Sequence, residues 1–282
     1  MAKRSRLQSN PTLDTLVIIV LLFVSLVTLF PVLWAFGTSI KPDIEVTMYP
    51  PRILPIAITL QNYYKVLFQS DFLRYFFNSI LITGIGIVIT TMVAAHAAYA
   101  LTHFEIRGKR KIMFIILMTS MIPPVALLVP LYLMTVKAGL YNTRIILIII
   151  YAAWRAPVLT WILQGFFAKL PKAIVEAGII DGCSKPMTFY RLVLPISQPG
   201  IVSASLLSAV YIWNDFLVSF SFTTKNEIRM LSVGLYQYIS QYGIQWGQLM
   251  AAVMISIIPI IVLFICLQGK FVSGMAAGAV KG

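Results

Sequence analysis

The segment Leu170-Pro-Lys-Ala-Ile-Val-Glu-Ala-Gly-Ile-Ile-Asp-Gly-Cys-Ser-Lys-Pro-Met-Thr-Phe-Tyr-Arg-Leu-Val-Leu-Pro195 separates two long apolar stretches and reads as neither of them. Pro171 can open a helix where its missing N–H costs nothing, Ala173 to Ile180 has helical spacing, and Asp181-Gly182 is a stop and turn signal. A second short helix is expected from Ser184, a good cap, with Pro186 in its first turn and an end before Pro195. Two short helices joined by a glycine turn make a small knob. Ala177, Gly178 and Gly182 would let another backbone come close to it, and Glu176 offers it an exposed carboxylate.

Outside this knob the chain is overwhelmingly apolar. Of its 282 residues 59% are hydrophobic and 11% charged, and the mean hydropathy is +0.89. Soluble domains run about 45–50% apolar and about 25% charged, so the composition excludes a large soluble domain, collagen-like order and disorder. Apolar stretches run over about 15–40, 78–101, 112–134, 143–165, 199–222 and 249–268. Each is long enough to cross a bilayer and lacks strand alternation, so the expected fold is an all-α integral membrane protein of six transmembrane helices. The membrane-embedded body would occupy 15–268, flanked by tails 1–14 and 269–282, with the knob in the connection 166–198.

The side of the membrane follows from the cations. With the N-terminus on side one, that side holds Lys3, Arg4, Arg6, Arg107, Lys109, Arg110, Lys111, Lys169, Lys172, Lys185, Arg191, Lys270 and Lys281, against eight Lys and Arg on the other. The positive-inside rule makes side one, both termini and the 166–198 connection cytoplasmic. The net charge of +13 is therefore mostly a matter of topology and gives no reason to expect nucleic acid. Cys183 and Cys266, far apart and without a CxxC, read as free thiols.

No set of residues suggests catalysis or a metal site. There is no GxxxxGK[ST], and His96 and His103 stand alone. Helix breakers and charges inside the spans mark a candidate polar path at Pro123, Pro124, Arg155, Trp213, Asn214 and Asp215; Pro157 and Pro259 are further expected interruptions. A charge at a helix centre costs about 2.5 kcal/mol or more in a bilayer, so Arg155 and Asp215 should face the interior, water or each other. The competing reading makes the prolines simple kinks and places the charges near the outer interface. The exterior segments 41–77 and 223–248 are rich in aromatics; Tyr236, Tyr238, Tyr242 and Trp246 suit either an interfacial belt or a docking surface for an external partner.

Glu176-Ala177-Gly178, then Asp181-Gly182 and a trailing Leu194-Pro195, resemble the EAA loop of ABC importer permeases, between the fourth and fifth of six spans. Gly178 stands where the family usually has Ala, which predicts a slightly looser helix. The likeness covers nearly the whole chain and is greatest to the six-span, maltose-type permease subunit of binding-protein-dependent carbohydrate importers. It implies the type I ABC importer permease fold and uptake of a sugar or oligosaccharide by alternating access. The implied setting is the cytoplasmic (inner) membrane of a bacterium or archaeon, among its lipids.

The same likeness implies a companion permease in a heterodimer, two ABC ATPase subunits that bind ATP and Mg, and a periplasmic or extracellular solute-binding protein, with no cofactor in this chain. Glu176, Ala177, Gly178, Asp181 and Gly182 would couple to the ATPases. Gly278, Val280, Lys281 and Gly282, in a Gly/Ala-rich tail similar to the family's, would enter the ATPase interface; a plain solvated terminus has the same composition. A permease for a non-sugar solute is the alternative, and an ATP-independent secondary transporter a more distant one, for it would leave the EAA-like loop unexplained.

Overall fold

Helix is the dominant state in the computed structural model, which describes residues 11–240 and 243–279. In chain order the helices are α1 (Pro11–Ser39), α2 (Asp43–Val46), α3 (Gln61–Phe68), α4 (Phe72–His103), α5 (Lys109–Ser120), α6 (Pro124–Lys137), α7 (Arg144–Phe167), α8 (Lys172–Ile180), α9 (Lys185–Thr188), α10 (Leu194–Ile196), α11 (Gln198–Asn214), α12 (Leu217–Phe222), α13 (Leu231–Tyr236) and α14 (Trp246–Ala279). A π-helical turn, Phe189–Val193, joins α9 to α10. The strands β1 (Ile239–Ser240) and β2 (Gly243–Ile244) form a small antiparallel hairpin before α14. Among the described residues four helices are long and apolar enough to cross a membrane, or up to six spans if each of two bent helix pairs counts as one.

The chain divides into two units. One comprises residues 1–70 and 238–255. Its organising side chain is Asn62, whose Nδ2 donates to the carbonyls of Ser39 (3.0 Å) and Lys41 (2.8 Å) just where α1 ends. Gly247 lies so close to Asn62 that a Cβ there would come within 2.7 Å of Nδ2. Glu45 accepts from the Ile56 amide at 2.8 Å, and the Lys41 ammonium donates to the Arg52 carbonyl. The segment after α1 is thus held by buried polar contacts. By contrast α1 exposes apolar side chains on every face, as a lipid-facing helix does, and turns Ser25 and Thr28 inward onto the carbonyls of Leu21 and Val24.

The other unit, 71–237 with 256–282, is built on the pairing of α4 with α7. Small residues Ala94, Ala95 and Ala98 on α4 share a core with Leu159, Leu163 and Phe167 on α7. Without an aqueous driving force between spans, such close backbone approach is what favours their association. Nearer the other end, Ile82 shares a second core with Ile146, Leu147, Ile150 and Tyr151 of α7, and with Ile212, Val218 and Phe222.

The prolines behave unequally. Within 112–134 the helix is broken, and α5 and α6 meet at 87°. Pro124 forbids helical backbone at the residue before it, so Pro123 is extended with ψ 127°. By contrast Pro157 does not interrupt α7 and Pro259 does not interrupt α14, a correction to the expected breaks: each removes one hydrogen bond, a loss that the remaining bonds of a long membrane helix tolerate. The knob's second helix also passes Pro195 instead of ending before it, and the chain bends by 79° after Ile196. The last helix continues beyond the expected end at 268 to Ala279.

Gly200, just past the 79° bend, faces the Phe166 ring; a Cβ there would lie 2.5 Å from Cδ1 and 2.6 Å from Cγ. Gly200→Val should therefore destabilise the protein by about 1–3 kcal/mol, the usual cost of overpacking. Thermal unfolding in detergent should show a lowered midpoint that Phe166→Ala partly restores. An unchanged midpoint would mean that the bend is not packed as described.

Candidate functional site

The knob is a closed piece of backbone geometry. At the end of α8, Gly182 has φ +82°, the Cys183 amide donates to the Gly178 carbonyl at 2.9 Å, and the Gly182 amide donates to the Ile179 carbonyl at 3.0 Å. These are the paired bonds of a Schellman stop, which needs a residue that tolerates the left-handed region, so the Asp-Gly pair has a conformational reason. Ser184 caps the next helix, its Oγ accepting from the Met187 amide at 3.4 Å. Ser184 is thus the cap that the sequence suggested.

Gly178 does not loosen the helix. An added Cβ would come within 2.6 Å of Leu192 Cδ1, so the missing methyl lets α8 pack against the turn that follows α9. Glu176, Ala177 and Asp181 are exposed, and Glu176 and Asp181 have no ion pair among the described residues. Beside them Ile180 is 84% exposed and Ile179 is also exposed. Sequence reasoning passed over these two isoleucines; their signal was an apolar pair directly before the Asp-Gly stop. A knob carrying free carboxylates next to bare isoleucines has the make-up of a protein-docking tip.

The knob is anchored by aromatics. Phe189, 1% exposed, sits between Tyr99 (centroids 4.8 Å apart), His96 (4.9 Å) and Phe167 (6.4 Å). His96 is 2.7 Å from the Tyr190 hydroxyl through Nε2, and the Tyr99 hydroxyl donates to the Lys185 carbonyl at 3.2 Å. The side chains from α4 and α7 thereby grip the second helical segment of the knob.

The intramembrane candidates separate. Pro124 and Arg155 line a cavity of about 470 Å³ together with Thr119, Ser120, Trp154 and Tyr211. The Arg155 guanidinium lies 4.3 Å over the Tyr211 ring. Pro123 sets the bend beside this cavity. Asp215 is engaged elsewhere: its Oδ1 accepts from the Tyr151 hydroxyl and from the Val218 amide, both at 2.9 Å, so it anchors the start of α12. The two charges do not pair. Trp213 is 7% exposed and meets Phe76 edge-on, and Asn214 donates to the Val210 carbonyl at 2.9 Å.

Among the docking candidates, exposed Tyr236 clusters with Phe216 and Phe220 in the larger unit. In the smaller unit Tyr238 is buried, while Trp246 is exposed and lines a cavity of about 290 Å³ with Trp34, Lys41 and Arg52. Tyr242 lies outside the described residues, as do Val280, Lys281 and Gly282; Gly278 lies in the continuation of α14.

Residues 86–276 match the family described as binding-protein-dependent transport system inner membrane component. The chain is 35% identical over 270 residues to the trehalose/maltose transport system permease protein MalG of Thermococcus litoralis, covering 95% of this chain and 96% of that protein. It is 33% identical over 254 residues to the sulfoquinovosyl glycerol transport system permease protein SmoH of Agrobacterium fabrum, covering 90% and 89%. In fold it is similar to a chain of a crystallised bacterial ABC transporter involved in the import of the acidic polysaccharide alginate, with a TM-score of 0.78, 23% identity and coverage of 96% and 100%.

Gly182→Ala should weaken the stop of α8 by about 1–2 kcal/mol, the cost of a Cβ in the left-handed region. Native-state hydrogen exchange at the Cys183 amide should then speed up by roughly five- to thirtyfold, and by much less in Gly182→Asn. Equal rates in all three proteins would refute the assigned turn.

Proposed function

The chain belongs to the family of binding-protein-dependent transport system inner membrane components, and from that premise we propose that it is the six-span permease subunit of an ATP-driven importer for a sugar or oligosaccharide. In this reading the bent pairs α5–α6 and α9–α11 each form one span, and both termini and the knob face the cytoplasm. The cation count supports that orientation. The substrate class is supported by relatives whose names specify trehalose/maltose and sulfoquinovosyl glycerol.

The observation that carries the coupling role is the exposed acidic and apolar tip held on a buried aromatic anchor. Two ATPase subunits, binding ATP and Mg themselves, close on each other and draw the knobs of this chain and of a companion permease together. Glu176 makes a charge-assisted contact with a basic residue of the ATPase, while Ala177, Ile179 and Ile180 fill its cleft. Because Phe189 and the His96–Tyr190 contact tie the knob to α4 and α7, displacement of the knob becomes displacement of the spans. The bends before α6 and α11 are the places where the spans can rock. A solute-binding protein delivers the sugar from outside, with Tyr236, Tyr238, Tyr242 and Trp246 in the segment that meets it. The tail residues Gly278, Val280, Lys281 and Gly282 reach the ATPase interface.

Glu176→Lys tests the coupling. In vesicles holding the complete transporter, uptake should fall by about tenfold or more, as expected for losing a charge-assisted contact of about 1.5–3 kcal/mol, and binding-protein-stimulated ATP hydrolysis should fall with it. Membrane insertion and co-purification of the companion permease should be unchanged. Normal uptake by this variant would rule the coupling role out.

A further inference from the structure

We infer that the cavity around Arg155 is a binding site for an acidic sugar, one bearing a carboxylate or sulfonate group; this rests on the sugar-importer reading and specifies its substrate. The cavity lies in the 71–237 segment, between α5, the start of α6, α7 and α11. Arg155 is its only lining cation among the described residues. The guanidinium has no ion pair among the described residues, and its Nε is buried without a hydrogen-bond partner. Its face is covered by Tyr211, which leaves the edge, where the donor fork lies, for a ligand. Asp215, the acid within the same stretch of spans, is committed to Tyr151 and Val218.

A lone arginine inside the membrane calls for a counter-charge, and a neutral sugar hydroxyl leaves that demand unmet. The N-terminal residues of α6, Pro124 and Leu127, also line the cavity, and a helix N-terminus adds positive potential. The remaining lining suits a sugar body. Ala153 also lines the cavity, and the residue four further on, Pro157, has no N–H to donate to its carbonyl. The Thr119 and Ser120 hydroxyls donate to the carbonyls of Ile116 and Leu117, which leaves their lone pairs as acceptors. Tyr211 and Trp154 supply aromatic surface for a pyranose ring. One cation among acceptors and aromatics matches a saccharide with one acid per ring better than a compact inorganic anion.

The test is site-resolved labelling of the purified protein, with the subunits that accompany it but without the binding protein. Phenylglyoxal adducts are followed by mass spectrometry at Arg155, with the exposed Arg110 in the first turn of α5 as internal reference. Trigalacturonate should slow labelling of Arg155 by about fivefold at saturation and leave Arg110 unaffected, while its methyl ester and inorganic sulfate should protect neither. Equal protection by the ester would mean a neutral-sugar site, and equal protection by sulfate a small-anion site; either overturns the inference. So does an absence of protection, or an Arg155 that never reacts, since a guanidinium open to a sugar is open to the reagent. The importer reading fails separately, if no ATPase subunit accompanies the protein, and that result does not bear on the labelling.

Discussion

The burial of one ring, Phe189, is the contact on which the remaining arrangement depends. It lies where the second helical segment of the knob meets α4 and α7, surrounded by Tyr99, His96, Phe167 and Tyr190. Close packing is poorly compressible, so a ring seated on several sides transmits a push instead of absorbing it. The same seat leaves the tip at Glu176–Asp181 outside the core and free to meet another protein. Rigidity at the base and exposure at the tip are both requirements of a mechanical coupler.

Proline shows how the same residue type has opposite results in one bilayer-spanning chain. In α7, Pro157 removes a single hydrogen bond from a helix whose neighbouring residues Leu159 and Leu163 are wholly buried against α4, and the helix runs on. At Pro123-Pro124 the second ring dictates the backbone of the first, and the chain turns by 87°. The freed backbone at the turn lies beside a cavity, where irregular structure at membrane depth is tolerated. The break and the cavity thus have one physical origin.

The two intramembrane charges illustrate what pattern reading resolves and what it leaves open. Both were recognisable as costly. Their fates differ because Tyr151, buried on α7, presents its hydroxyl to Asp215, whereas Arg155 lies over the ring face of Tyr211 and has no acidic partner among the described residues. Asp215 becomes part of the scaffold and Arg155 part of a cavity. Gly178 is similar: on helix propensity alone it loosens α8, yet in the folded chain its missing methyl is the space that Leu192 occupies.

Local chemistry was enough for the helical class, the apolar stretches, the cap at Ser184 and the Asp-Gly stop, because each follows from hydropathy over about 20 residues or from backbone preferences within one turn. The family likeness was equally local, carried by Glu176, Ala177, Asp181, Gly182, Leu194 and Pro195 in their spacing. What only the tertiary structure decided was which side chains meet across the spans: Phe189 with Tyr99 and Phe167, Asp215 with Tyr151, Arg155 with Tyr211. Those partners lie from about 22 to 90 positions apart in the chain. In a helix of nearly uniform apolarity the sequence does not mark the face that turns inward, so pairing across that distance is set by packing.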